Sequence, residues 1–179
     1  MQIYKDWAKR EFTLRQRLAA FIPEGVFFLF ILPVLLIVLS NAVDGWLSIP
    51  RFTWGVWNLA ASVPFFLAGG FLALWAIYTQ VEAGRGTPVP MMPTQRVVSQ
   101  GPFAYSRNPM TLGTILAYLG IGILIGSFSG LALVLIAGGA LLLYCRLIEE
   151  KELAARFGAE YLEYKRSTPF LIPRLTRRK

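Results

Sequence analysis

The chain has 179 residues, 55% of them hydrophobic and only 16% charged, with a net charge of +8. Ordinary soluble domains carry about a quarter charged residues, so this composition excludes them and points to one compact membrane domain over 1–179. The absence of histidine and a single cysteine, Cys145, exclude imidazole bases, Ser-His triads and an intrachain disulfide, and no metal cage is visible.

Residues 1–21 are charged and amphipathic. Trp7, Leu14, Leu18 and Phe21 mark an apolar side opposite Lys5, Lys9, Arg10, Arg15 and Arg17. This pattern predicts an interfacial helix on an anionic leaflet. A first span is expected over 24–40, with Pro33 inside it. Ser40-Asn41-Ala42 has the small-residue pattern of a cleavage site, but the apolar run is a full crossing and more spans follow, so a retained span is expected. Asn41 to Gly45 reads as a short turn. A second span is expected over 54–81, with Pro64 as a kink, and Trp46, Trp54 and Trp57 cluster as an aromatic belt. Glu82 to Asn108 is a Gly/Pro-rich polar loop.

Pro109 to Cys145 is a run of 37 residues without a charge. At ~1.5 Å per residue one helix of that length far exceeds a ~30 Å bilayer core, so the run folds back as two spans, 109–125 and 130–145. The fold-back brings Arg107, Asn108, Arg146, Glu149 and Glu150 to one face. Seven glycines between Gly113 and Gly139 permit close helix contact and equally leave room for a ligand. From Glu149 to Lys165 an amphipathic helix follows, weakened at Gly158 and ended by Thr168-Pro169. The expected fold is therefore all-α, with four transmembrane helices, an N-terminal interfacial helix and a C-terminal amphipathic cytosolic helix.

The Lys and Arg residues, Arg51 apart, lie in the N-terminal segment, the 82–108 loop and the C-terminal segment. That distribution is what membrane topology requires and points away from nucleic acid. It predicts a multi-pass protein of a bacterial inner membrane or endoplasmic reticulum, with both termini and the site cytoplasmic.

Asn108-Pro109 is a helix start, whose free N–H groups favour an anion. Arg107 adds a forked cation suited to a carboxylate. The corner is either a carboxylate or phosphate dock or a plain cap beside an interfacial arginine. Glu149 and Glu150 sit ~100° apart on a helix, so one faces the hairpin while the other faces water or a basic partner. A ligand with a carboxylate, an ammonium, a ribose and a flat base matches these partners. S-adenosylmethionine is such a ligand, and its methyl transfers without a metal or an imidazole, largely through alignment.

The tract Gly101-Pro102-Phe103-Ala104-Tyr105-Ser106-Arg107-Asn108-Pro109, with Gly113 beyond, resembles the Gly-Pro-aromatic-x-x-x-Arg-His/Asn-Pro-x-x-x-Gly signature of the isoprenylcysteine carboxyl methyltransferase and phospholipid methyltransferase superfamily. Glu149-Glu150 with Leu153, Phe157-Gly158, Tyr161 and Tyr164 resembles its second signature, and Pro173-Arg174 its closing segment. The resemblance covers 88–174 and implies an S-adenosylmethionine-binding core there. By that likeness Arg107, Asn108 and Pro109 contact the methionine end, and Gly101, Pro102, Tyr105 and Gly113 belong to the pocket. Glu149 and Glu150 take the ammonium or ribose, while Tyr161, Tyr164 and Arg174 close the lid. Arg146 orients an acceptor carboxylate, and Arg107 and Glu150 join it as catalytic residues. The expected partners are membrane lipids and a lipid-like or prenylated acceptor, with isoprenylcysteine-type carboxyl O-methylation preferred. Phospholipid N-methylation, a nicotinamide-dependent sterol-type reductase and a non-catalytic membrane adaptor are the alternatives. Asn108 stands where the eukaryotic carboxyl methyltransferases carry histidine.

Overall fold

The computed structural model describes residues 13–84 and 94–173, and these are helical, with no strand among them. The helices are α1 (Leu14–Val26), α2 (Leu32–Trp46), α3 (Val56–Ala83), α4 (Pro109–Leu124), α5 (Phe128–Tyr144), α6 (Glu150–Phe157) and α7 (Ala159–Ser167). A π-turn, Phe27–Ile31, joins α1 to α2, and a second, Cys145–Glu149, joins α5 to α6. Three continuous helices are long and apolar enough to cross a membrane: Ile22–Trp46, Val56–Ala83 and Phe128–Phe157. Pro109–Leu124 is apolar but shorter. Large apolar side chains such as Leu29, Leu67, Phe71 and Ile136 are about two-thirds exposed or more, as on a surface made for lipid. Trp46, Trp54 and Trp57 are exposed near the ends of α2 and α3, where an aromatic belt is expected.

The backbone gathers into two compact units. One comprises Val26–Ala73 and Thr111–Leu143. In it α4 and α5 form the predicted fold-back, turned at Gly126, whose φ is +65°. Gly69 and Gly113 let α3 and α4 touch backbone to backbone: a Cβ on Gly113 would lie 2.7 Å from the Ala73 nitrogen and 2.7 Å from the Gly69 carbonyl. With Ala73 and Ala117 these glycines make two small-xxx-small stripes, the packing that lipid-embedded helices favour.

The expected turn at Asn41–Gly45 is corrected. Those residues continue α2 to Trp46, because the polar side chains find partners without breaking the helix. Asp44 is buried, accepts a 2.7 Å hydrogen bond from the Ser127 hydroxyl and pairs with Arg51 at 3.4 Å. Arg51 also donates to Asn41. The true connection, 47–55, is held by buried Asn58. It accepts from the Trp54 N–H and donates to the carbonyls of Phe52 and Ile123.

The N-terminal expectation changes as well. Residues 1–12 lie outside the described residues. From Leu14 the helix runs through Pro23 to Val26 with no break between an amphipathic segment and a span. Thr13 and Gln16 start it as a reciprocal capping box.

The other unit comprises the described residues of Met1–Gly25, Leu74–Met110 and Tyr144–Lys179. Its small core is Ala76, Val98 and Phe103, with Ala83, Met110 and Tyr164 packed against it. This unit holds the chemistry-bearing residues.

Candidate active site

The loop before α4 is seated by a glycine. Gly101 has φ +58°, a conformation other residues adopt only with strain, and a Cβ there would lie 2.7 Å from the Thr79 hydroxyl oxygen. A short 3₁₀ turn, Gly101–Ala104, then buries Pro102 and Phe103. Tyr105 follows, half-buried, and Ser106 is fully buried.

Residues 106–108 are strapped to the C-terminal segment. The Ser106 hydroxyl donates to the Leu171 carbonyl at 2.8 Å. The Arg107 N–H donates to the Pro169 carbonyl at 2.9 Å, and the Asn108 side-chain amide to the Phe170 carbonyl at 2.9 Å. Pro109, fully buried, opens α4. The Phe170 ring lies under two guanidinium groups, 5.5 Å from Arg107 and 5.6 Å from Arg146.

Arg107 donates through Nη1 to the Glu150 carboxylate, and Lys165 Nζ lies 2.6 Å from the other Glu150 oxygen. Glu150 is thus the inward acid of the doublet, 5% exposed and paired with two cations. Glu149, less buried, is hydrogen-bonded to the Cys145 thiol.

The π-turn explains how Cys145 and Glu150 serve one site. In a regular α-helix residues five apart point ~140° away from each other. Here the Glu150 N–H bonds to the Cys145 carbonyl, five residues back, so the two return to nearly one face. Such single wide turns recur at functional sites.

A cleft lies in this unit. Arg107, Asn108, Glu149, Glu150, Tyr161 and Tyr164 from the sequence-derived set line it. Val98, Phe103, Leu153 and Phe157 supply apolar and aromatic wall, with Cys145 and Gln80 between. Tyr161 is 3% exposed, and its phenol is pushed up to about 12, by burial first and then by the Glu150 carboxylate. Burial raises Tyr164 still further, and its hydroxyl donates to the Phe103 carbonyl at 2.8 Å. Both therefore stay protonated donors at neutral pH.

Gly101, Pro102, Tyr105 and Pro109 build the loop rather than line the cleft. Gly113 belongs to the other unit, against Ala73. Arg146 is exposed beside Phe170, and Arg174 lies outside the described residues. Sequence reasoning missed Gln80, Lys165, Ser106 and Phe170. Gln80 had one signal, an amide near the end of an otherwise apolar helix.

Two of the cleft's residues carry a buried atom with no hydrogen-bond partner among the described residues: Gln80 Oε1 and Arg107 Nε. One accepts and one donates. Buried polar atoms are normally satisfied, so an orphaned pair in a cleft suits a polar ligand.

The phospholipid methyltransferase family model matches residues 57–160, more than half of the chain. The chain belongs to the phospholipid methyltransferase family. Methanethiol S-methyltransferase 2 of Bradyrhizobium diazoefficiens is a relative, 37% identical over 73 residues. The match covers 41% of this chain and 27% of that protein, so the similarity spans about a quarter of the relative's length. Both likenesses fall in the superfamily that the two signatures resemble. The interval matched in this phospholipid methyltransferase family member contains Gln80, Arg107, Glu149 and Glu150, and ends one residue before Tyr161.

Proposed function

We propose that this chain transfers a methyl group from S-adenosylmethionine to an amphiphilic acceptor that enters from lipid. The observation that carries the reading is the cleft itself. A guanidinium and an ammonium flank one buried carboxylate, a second carboxylate stands beside it, and two polar atoms wait unpartnered between apolar walls.

The residues fit the donor. Arg107 and Lys165 suit its carboxylate, and Glu149 suits its ammonium. Glu150 holds the two cations in place, since each of its oxygens is paired with one of them. Val98, Phe103 and Phe157 wall the flat base. When bound, S-adenosylmethionine would supply a sulfonium methyl to an aligned nucleophile by in-line attack at the methyl carbon, with S-adenosylhomocysteine leaving. Tyr161 and Tyr164, both protonated, exclude water and donate hydrogen bonds. Arg146, exposed over Phe170, meets the acceptor.

Four spans complete the reading. Pro109–Leu124 is ~24 Å long and reaches across a thin apolar core with its flanking residues. The basic loop and both basic termini then lie in the cytoplasm with the cleft, in a bacterial inner membrane or endoplasmic reticulum.

The preferred acceptor is an isoprenylcysteine-type carboxylate, which needs no general base and suits Arg146. Phospholipid amines follow, with Glu149 as proton acceptor. The likeness to a protein named for methanethiol favours a second reading, a thiol acceptor. The test begins with detergent-purified protein. Its melting temperature should rise with S-adenosylmethionine or S-adenosylhomocysteine and not with NADPH. A labelled methyl donor is then incubated with total lipid extract, and separately with short-chain thiols, and the labelled product identified. No rise with either adenosyl compound overturns the proposal.

A further inference from the structure

Gln80 lies outside both signature tracts, on the last turns of α3. Its position is set by packing. Ala76, one turn earlier, is fully buried against Val98 and Phe103. One turn later Gly84 abuts Thr94 and Val98, and a Cβ there would lie 2.9 Å from a Val98 methyl. The Gln80 side chain is part of the cleft wall, which Val98, Phe103 and Phe157 share. Its Oε1 is buried with no partner among the described residues. A buried carbonyl left unsatisfied is costly unless a ligand donates to it.

We propose that Gln80 is a specificity residue that reads the base of the nucleotide donor, its carbonyl accepting from the exocyclic amine of adenine. A glutamine carboxamide matches the amine and ring-nitrogen edge of adenine. Hypoxanthine puts a carbonyl oxygen where adenine has that amine. Two acceptors then oppose each other, and the site rejects the base. The inference rests on the S-adenosylmethionine reading and adds to it the residue that selects the base.

The experiment measures binding of S-adenosylhomocysteine and S-inosylhomocysteine to the full chain in detergent, for wild type and for Gln80→Met, a volume-matched apolar variant. Wild type should prefer the adenosyl compound about tenfold or more. Gln80→Met should bring the ratio near one, mainly by weakening the adenosyl compound. Equal affinities in wild type overturn the assignment, whether or not the variant folds. A preference kept unchanged in Gln80→Met overturns it too. Binding of neither compound by folded wild type overturns the methyl-donor reading itself, and the assignment of Gln80 with it.

Discussion

Arg107 and Glu150, 43 residues apart in the chain, form a buried ion pair whose side chains are 11% and 7% exposed. Removing one partner strands the other in a poorly solvated place, which costs roughly 3–5 kcal/mol. Glu150→Gln is expected to lower the melting temperature and abolish the stabilisation by S-adenosylhomocysteine. Arg107→Met with Glu150→Leu removes both buried charges and leaves unpaired only the more exposed Lys165, so it should recover much of the stability without recovering binding. Parallel loss of stability in single and double variants, measured by thermal unfolding, would count against the pair as a buried one.

Gly101 answers to two separate constraints, its positive φ and its contact with Thr79. Gly101→Ala should destabilise by about 1–3 kcal/mol. Thr79→Ala removes both atoms that the new methyl would strike, the hydroxyl oxygen and the methyl carbon. The double variant should therefore recover the steric part and keep the conformational part. Thermal unfolding of the three variants separates the two.

Three long apolar helices were legible because runs of that length with so few charges have few other solutions, and the fold-back of α4 on α5 followed from length alone. The helix through Asn41–Gly45 was not legible. Asp44 looks like a turn residue until Ser127, 83 positions on, and Arg51 are beside it. In the site, Arg107 and Glu150 stood out as opposite charges at the two ends of one apolar run. Lys165 did not, because it reads as one more solvated cation on an amphipathic helix until Glu150 is found against it. Phe170 and Ser106 act through backbone carbonyls and ring faces, which no residue-type pattern displays.

Tyr161 should give a pH signature at the alkaline end. Its folded pKa, about 12, exceeds the ordinary value of 10, by burial first and the Glu150 charge second. The neutral phenol thus contributes stability that is fully present below pH 10 and is lost as pH rises toward 12. Melting temperature followed from pH 8 to 11.5 should fall more steeply in wild type than in Tyr161→Phe. Superimposable profiles would mean that the phenol is solvated.

Tyr118 and Pro33 carry the last prediction, in the other unit. Within the Phe27–Ile31 π-turn the Leu32 N–H bonds to the Phe27 carbonyl, five residues back. The next N–H in that register would serve Phe28, but it belongs to Pro33, which has none. The Tyr118 hydroxyl takes the place of the missing donor, 2.6 Å from the Phe28 carbonyl oxygen. Tyr118→Phe should cost about 1 kcal/mol, the usual size of an interhelical hydrogen bond in lipid. Pro33→Ala restores an N–H beside that carbonyl, so in its presence the cost of Tyr118→Phe should shrink toward zero. A double-mutant cycle on unfolding free energy measures that coupling, and purely additive costs would show that the proline and the tyrosine act independently.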